Sequence, residues 1–396
     1  MTFNILWLAS WYPNRLSPFD GDFIQRHAQA ASLLNNVHVL YVVNDPSGKV
    51  TGSIKEEVNH DGNLTETIIY YKSFKTGIRV IDQFLSSAKY LNIYKRTVRR
   101  HISSQGMPVF VHLHVAMKAG IIALWLLKKY KVPYILSEHW TGYLPEARPN
   151  YEDRSLVFKN LARKIIVNAS QLTVVSKVLG DRMKKKFNVS YIMIPNVVNT
   201  DLFFPQPYAH TDQINFVHVS GLGYQKNIEN MIGAFSRLKN ENYPFSLIIF
   251  APDSQQIQDL VAHYHLEDHI ILKREVPQAL LAKSIRNSDA LVLFSRYETF
   301  GCVVIEANAS GIPAILTDLQ VFREYSTENI TAIFAASGNP DELANAMINF
   351  IKNRSNFDAN QIRENVVSKF SYPVVARQFD SLYRNLFASP STRTFK

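Results

Sequence analysis

The sequence predicts an α/β protein made of two doubly wound, Rossmann-like domains. Three observations lead there. Strand-length apolar runs alternate with helical stretches in two successive series, one opening at Phe3 and the other at Ile214. A chain of 396 residues is long enough for two domains of ordinary size. The run over residues 290–318, ALVLFSRYETFGCVVIEANASGIPAILTD, reads as strand, loop, helix and strand. A crossover of that kind puts its loop and the helix start at the carboxyl edge of a sheet, where ligands bind.

Residues 3–9 read as a buried first strand, followed by a loop through Trp11-Tyr12-Pro13 and Gly21-Asp22-Phe23. Residues 24–34 are helical and 37–43 form the second strand. Gly21 lies where a doubly wound sheet binds ligands, but no G-x-G-x-x-G accompanies it, so a nicotinamide-binding reading gains little. Asp61-Gly62-Asn63 marks a hairpin turn within residues 50–71. Residues 81–102 carry Ile81, Phe84, Leu85, Ala88, Leu91, Val98 and Ile102 at helical spacing, which predicts a core-facing helix.

A strand over 109–113 brings His112 and His114 to the same side. The neighbouring sequence supplies no further metal ligands, and one of the two is expected to face the cleft. A helix spans 117–130, and a buried strand over 132–136 ends in Ser137-Glu138-His139-Trp140. His139, just past a carboxyl strand end, is well placed for function. Another strand covers 172–175, and Arg182 with Lys184 to Lys186 reads as a solvated helix end. Pro195-Asn196 suits a turn leaving the first domain, and Pro205 and Pro207 strengthen that boundary.

The second series has strands over 214–219, 245–250, 269–272, 291–294, 313–317 and 331–334. Helices are expected over 228–239, 280–287, 302–309, 341–352 and 361–367, with a last amphipathic helix reaching Leu386. Lys226, in the loop Ser220–Asn227, stands ahead of a helix and suits a phosphate. The expected division is 1–205, 206–370 and a C-terminal segment 371–396, with disorder after Ala388.

Composition narrows the partners. The first 205 residues hold 26 basic and 14 acidic residues and the remainder 17 and 19, so the whole-chain charge of +10 resides in the first half. Lys72, Lys75, Arg79, Lys89, Lys95, Arg96, Arg99 and Arg100 face one acid, Asp82, between residues 72 and 100. This basic, Tyr-bearing stretch is either the solvated side of a core helix or a surface for anionic lipid headgroups or a lipid-diphosphate acceptor. No nucleic-acid-binding signature accompanies it. A single cysteine, Cys302, fits a reducing compartment. Residues 1–4 lack the basic start of a signal peptide, and the longest apolar block, 119–127, falls short of a bilayer span. A cytoplasmic location is expected, with possible attachment to the inner membrane face.

Around the 290–318 run, Glu298 ends a loop at the sheet edge. The backbone N–H groups of Phe300, Gly301 and Cys302 open a helix toward negative charge. Glu306, about one turn further, can accept from the vicinal hydroxyls of a ribose. Glu298-x7-Glu306 within SRYETFGCVVIEANASGIP resembles the retaining nucleotide-sugar glycosyltransferases of family 4 (glycosyl transferases group 1). Their fold is GT-B, two Rossmann-like domains facing across a cleft. The segment PNVVNTDLF at 195–203 is similar to that family's interdomain P-N-G-V-D-x-x-x-F, with Val197 and Asn199 as departures.

The resemblance implies transfer of a sugar from a nucleotide-diphosphate sugar to a glycan or lipid-linked glycan, as in cell-surface polysaccharide synthesis. It assigns His139, Glu298 and Lys226 to catalysis. Donor binding is expected at Gly21, Gly221, Lys226, Arg274, Glu298, Thr299, Phe300, Gly301 and Glu306. Asp22 accompanies Gly21 in the loop near the donor phosphates. No metal or other cofactor is implied, because helix and Lys226 take its place. Gly221 stands where the family pattern G-R-L-x-x-x-K has Arg, and Arg274 or Arg296 is the expected compensation. A non-catalytic nucleotide-sugar-binding homologue or partner subunit, and a GT-B sugar-nucleotide epimerase, are the alternatives. Under the ribose assignment, Glu306→Ala is expected to weaken nucleotide binding with little change in thermal stability.

Overall fold

The computed structural model describes residues 2–207 and 211–388, so the tail expected to be disordered after Ala388 lies outside the described residues. The first sheet contains β1 (Asn4–Ala9), β2 (Asn36–Asn44), β3 (Ile54–Asp61), β4 (Leu64–Tyr71), β5 (Val111–His114), β6 (Tyr134–Glu138), β7 (Gln171–Val174) and β8 (Tyr191–Met193). Their order is 3-4-2-1-5-6-7-8, parallel throughout except for the edge strand β3. Helices α1 (Asp22–Ser32), α2 (Arg79–Gln105), α3 (Gly120–Tyr130), α4 (Leu156–Val167) and α5 (Lys177–Phe187) pack on it. The turn at Gly62 closes the β3–β4 hairpin, as Asp61-Gly62-Asn63 predicts.

The second sheet is wholly parallel, in the order 11-10-9-12-13-14. Its strands are β9 (Ile214–Val219), β10 (Phe245–Phe250), β11 (Ile270–Lys273), β12 (Ala290–Leu293), β13 (Ala314–Thr317) and β14 (Ala332–Ala335). Its helices are α6 (Ile228–Asn240), α7 (Gln255–His263), α8 (Gln278–Arg286), α9 (Cys302–Ala309), α10 (Gln320–Arg323), α11 (Pro340–Asn353) and α12 (Ala359–Phe370). Strand order reverses beside β1 in one sheet and beside β9 in the other. Such reversals open a crevice at the carboxyl ends of the strands.

A final helix, α13 (Tyr372–Ala388), returns to the first sheet. Val375, Phe379, Leu382 and Tyr383 bury against Phe3, Ile5 and Trp7, and Tyr372 donates to Gln29 of α1 at 3.0 Å. Each fully buried aromatic or leucine of this kind contributes about 1.5–3 kcal/mol, so the two sheets are tied at a second place besides the 194–203 segment.

Helix α2 departs from its expected face. Tyr90, Ile93, Tyr94, Thr97 and Val98 are buried, whereas Ile81, Phe84 and Ala88 near its start are exposed. Tyr94 fixes the helix by donating to the Leu40 carbonyl at 2.6 Å. Only the later turns join the buried core, so the periodic stripe continues toward the helix start where no core lies beneath it. His112 and His114 are both fully buried beneath the cleft, correcting the expectation that one of them faces it.

Candidate functional site

A cavity of about 420 Å³ opens between the two sheets. Phe23, Arg26, His139 and Asn196 line it from the first domain, and Lys226, Glu298, Phe300 and Glu306 from the second.

The second-domain wall is built by the β12–α9 crossover. Gly301 caps α9 in the left-handed region, at φ 88°, and a Cβ there would stand 2.8 Å from the Phe322 ring. Only glycine reaches this geometry without strain. The first N–H groups of α9 consequently face the cavity end with no helical partner, an anion-binding arrangement. Tyr325 donates to the Phe300 carbonyl at 2.6 Å and fixes the turn from behind. Lys226 Nζ meets Glu298 Oε1 at 2.5 Å, and Ser295 Oγ donates to the same oxygen at 3.0 Å. Gly221 also lines the cavity, and a Cβ there would touch nothing within 4 Å.

From the first domain, Gly21 caps α1 at φ 69°, with a virtual Cβ only 2.7 Å from the Trp11 carbonyl carbon. Gly21 itself does not line the cavity; it holds the loop that presents Asp22 and Phe23 there. Arg26, one turn on, is the residue that sequence reading missed. Its Nη1 donates to Glu306 across the cleft at 2.5 Å and its Nη2 to Asp22 at 2.8 Å. Burial opposes its charge, but Asp22 and Glu306 hold it protonated. Burial likewise raises the Glu306 carboxyl while Arg26 pulls it back down. Glu306 is therefore one half of a buried ion pair, and the expectation that Glu306→Ala leaves stability nearly unchanged is corrected.

The proposed substitutes for the missing Arg sit elsewhere. Arg274 follows β11, 80% exposed and paired with Asp253, outside the cavity lining. Arg296 donates to the Tyr224 carbonyl at 2.5 Å and stacks over that ring, also outside the lining. The cation that the fold brings in is Arg26. The signal available for it was an i,i+4 Asp22–Arg26 pair opening a helix at a carboxyl strand end.

His139 lies against Phe23, ring centroids 4.8 Å apart, and burial holds its ring far below the usual histidine range, so it is neutral. Glu138 positions the loop that carries it. That carboxylate is wholly buried and accepts from the N–H groups of Ala116, His139 and Trp140 at 3.1, 2.9 and 3.0 Å. Thr299 Oγ1 donates to the His139 carbonyl at 3.2 Å, a direct link between the walls. Cys302 is half-buried at the start of α9, and desolvation pushes its thiol up to about 12, which removes it as a nucleophile at neutral pH.

These two walls, a paired-glutamate crossover and a facing Rossmann-like sheet, agree with comparison to known proteins. A family model described as Glycosyltransferase Family 4 matches residues 58–202, and one described as Glycosyl transferases group 1 matches residues 200–367. The chain belongs to the group 1 glycosyltransferases of family 4. Membership makes it an enzyme of glycosyl transfer with the GT-B fold. An uncharacterised glycosyltransferase of Methanocaldococcus jannaschii is 24% identical over 274 residues, 69% of this chain and 73% of its own. The alpha-monoglucosyldiacylglycerol synthase of Acholeplasma laidlawii is 22% identical, covering 70% of this chain and 75% of its own. Among solved structures, a sucrose-phosphate synthase from Thermosynechococcus elongatus superposes with a TM-score of 0.79 at 19% identity, over 97% and 99% of the two chains. Anabaena HepE, solved with UDP-glucose, superposes at 0.70 with 14% identity, over 96% and 99%.

Proposed function

We propose that this glycosyltransferase moves a sugar, with retention of anomeric configuration, from a nucleotide-diphosphate sugar to a glycan or lipid-linked glycan acceptor. The observation that carries the reading is the meeting of Lys226, Glu298, Glu306 and the α9 N-terminus around one cavity. The diphosphate lies at the α9 N-terminus beside Lys226, the ribose hydroxyls at Glu306 and the sugar hydroxyls at Glu298. As the sugar–phosphate bond breaks, the sugar becomes oxocarbenium-like and the diphosphate gathers charge. Fixed N–H groups and Lys226 stabilise that charge, and no metal is needed on the diphosphate. In the ligand-free arrangement Glu298 holds Lys226 and Glu306 holds Arg26. Donor binding exchanges these partners, which frees Arg26 for the diphosphate in place of the Arg missing at Gly221. His139, neutral, faces the transferred sugar and the acceptor. Closure of the domains on the donor limits hydrolysis.

An acceptor at an anionic membrane is supported by the exposed start of α2. Val80 is 75% and Phe84 71% exposed, with Phe74 and Ile78 also exposed beside Lys72, Lys75 and Arg79. No described helix is long and apolar enough to cross a membrane. Surface attachment in a cell-surface polysaccharide pathway follows from this reading. Sedimentation with anionic vesicles tests it, and no binding at low salt contradicts it.

The reaction itself is tested by following the anomeric proton of donor and product by NMR. Product of unchanged anomeric configuration supports the proposal. An inverted product, or epimerised nucleotide sugar without transfer, overturns it.

A further inference from the structure

Beneath the cleft the fold gathers histidines that lie far apart in sequence. His27 comes from α1, His114 from the end of β5 and His139 from the loop after β6. Each offers a ring nitrogen, and these three nitrogens all lie within 4.8 Å of one another. We infer that His27, His114 and His139 form a three-histidine site for a divalent transition-metal ion of the zinc class, separate from the donor diphosphate.

Hydrogen bonding separates these rings from ordinary buried histidines. His112, beside them, is satisfied on both nitrogens, by Tyr383 and Ser137 at 2.9 and 2.8 Å. His114 and His139, both buried, have no hydrogen-bond partner on either nitrogen. Buried polar atoms in folded proteins are paired in the great majority of cases, so four such nitrogens on two adjacent rings call for a ligand. His27 fixes the sense of the site. Its Nε2 lies 2.9 Å from the Pro195 carbonyl, which can only accept, so the proton is on Nε2 and Nδ1 carries the free lone pair. A ring that donates one N–H to a carbonyl and keeps the other nitrogen bare is the arrangement of a metal ligand and its supporting partner. Nδ1 of His27 is unpartnered as well.

The surroundings suit such an ion. His114 stacks on Trp7 with centroids 4.0 Å apart, and Val115, next to it, is held in the left-handed region at φ 65°, strained for a β-branched residue. Hydrogen bonds on both sides hold that conformation: Val115 N–H donates to the Ser137 carbonyl at 2.8 Å and Ser10 Oγ donates to the Val115 carbonyl at 2.8 Å. Arg26, next to His27, is compensated by Asp22 and Glu306, and the Glu138 carboxylate, next to His139, is taken up by backbone N–H groups. Imidazole alone, without carboxylate or thiolate, selects zinc-like ions over magnesium or calcium. Nitrogens bound at about 2.0–2.1 Å around a tetrahedral ion stand roughly 3.3 Å apart, so small ring rotations close the site. His139 lines the donor cavity, which places the fourth, open position toward the cleft. The ion would lock α1, β5 and β6 together and orient His139.

The test uses tag-free full-length protein without nucleotide, stripped with a chelator and titrated with Zn²⁺ or Co²⁺. The expected result is one equivalent bound, a raised Tm and the visible bands of four-coordinate cobalt. His139→Gln and His114→Gln, confirmed as folded by circular dichroism, should each lose at least about 100-fold in metal affinity. Two results overturn the inference. One is substoichiometric binding to folded wild-type protein with no change in Tm. The other is cobalt bands of wild-type affinity in either folded variant, which would locate the ion elsewhere. If a variant does not fold, the wild-type titration decides alone.

Discussion

The Arg26–Glu306 pair gives the sharpest handle on the cleft, because its two ends predict different costs. Glu306 has Arg26 as its side-chain partner and is 5% exposed, whereas Arg26 keeps Asp22 at 2.8 Å when Glu306 is removed. Arg26→Met therefore orphans a buried carboxylate and should cost about 3–5 kcal/mol, while Glu306→Gln, leaving Arg26 half-paired, should cost about 2–3 kcal/mol. The double variant removes both charges and should be less destabilised than the sum by about 2 kcal/mol. Urea unfolding of the four proteins measures the cycle, and calorimetric titration with nucleotide measures the site. Loss of two hydroxyl contacts to a carboxylate, at about 1.5 kcal/mol each, weakens nucleotide binding in Glu306→Gln roughly 100-fold. Additive stabilities would show that the pair is not coupled. Wild-type nucleotide affinity in Glu306→Gln would refute the ribose role.

Other predictions concern the same walls. Lys226→Ala should lower kcat about 100-fold with a smaller change in KM, since its charge acts most on the departing diphosphate; a change confined to KM would contradict this. Gly221→Arg adds a cation in open space and should raise nucleoside-diphosphate affinity about tenfold without loss of stability, as read by titration; weaker binding would place the diphosphate elsewhere. Gly301→Ala forces a Cβ against Phe322 at positive φ and should cost about 1–3 kcal/mol in urea unfolding. His218, buried between the Val292 carbonyl and Ser220, is held down to about 4 by desolvation. The unfolded chain then binds the extra proton between pH 6.5 and 4, so its contribution is intact above pH 6.5 and is lost as pH falls. The expected slope is about 1.4 kcal/mol per pH unit per such histidine. Urea midpoints that stay level from pH 7 to 5 would show that His218 is protonated in the fold.

The sequence was most readable where one local rule decides. The turn glycines Gly62 and Gly301 and the short parallel strands β9 and β10 fell where composition put them, because φ sign and apolar runs are local properties. Helices α4 and α7 went unread although Ser155 and Ser254 cap them and their apolar residues recur at helical spacing. The strand β8 was hidden in the interdomain segment because three residues carry no period. At the site, Glu298, Glu306 and Lys226 were found through one continuous motif and a nearby loop. Arg26, Glu138 and the joining of His139 to His27 and His114 were not, because the contacts that decide them come from distant residues: Glu306 of the opposite domain for Arg26, Ala116 for Glu138, and the other two rings for each histidine. Arg274 shows the converse, a suitable charge whose strand end turns it to solvent.

The central claim is that the cleft binds a nucleotide-diphosphate sugar, and a thermal-shift panel of UDP, GDP, ADP and their common sugars addresses it directly. The account predicts that one nucleotide series raises Tm without added metal, and that Lys226→Ala and Glu306→Gln abolish the rise. No shift with any nucleotide in wild-type protein, or an equal shift in both variants, would contradict it.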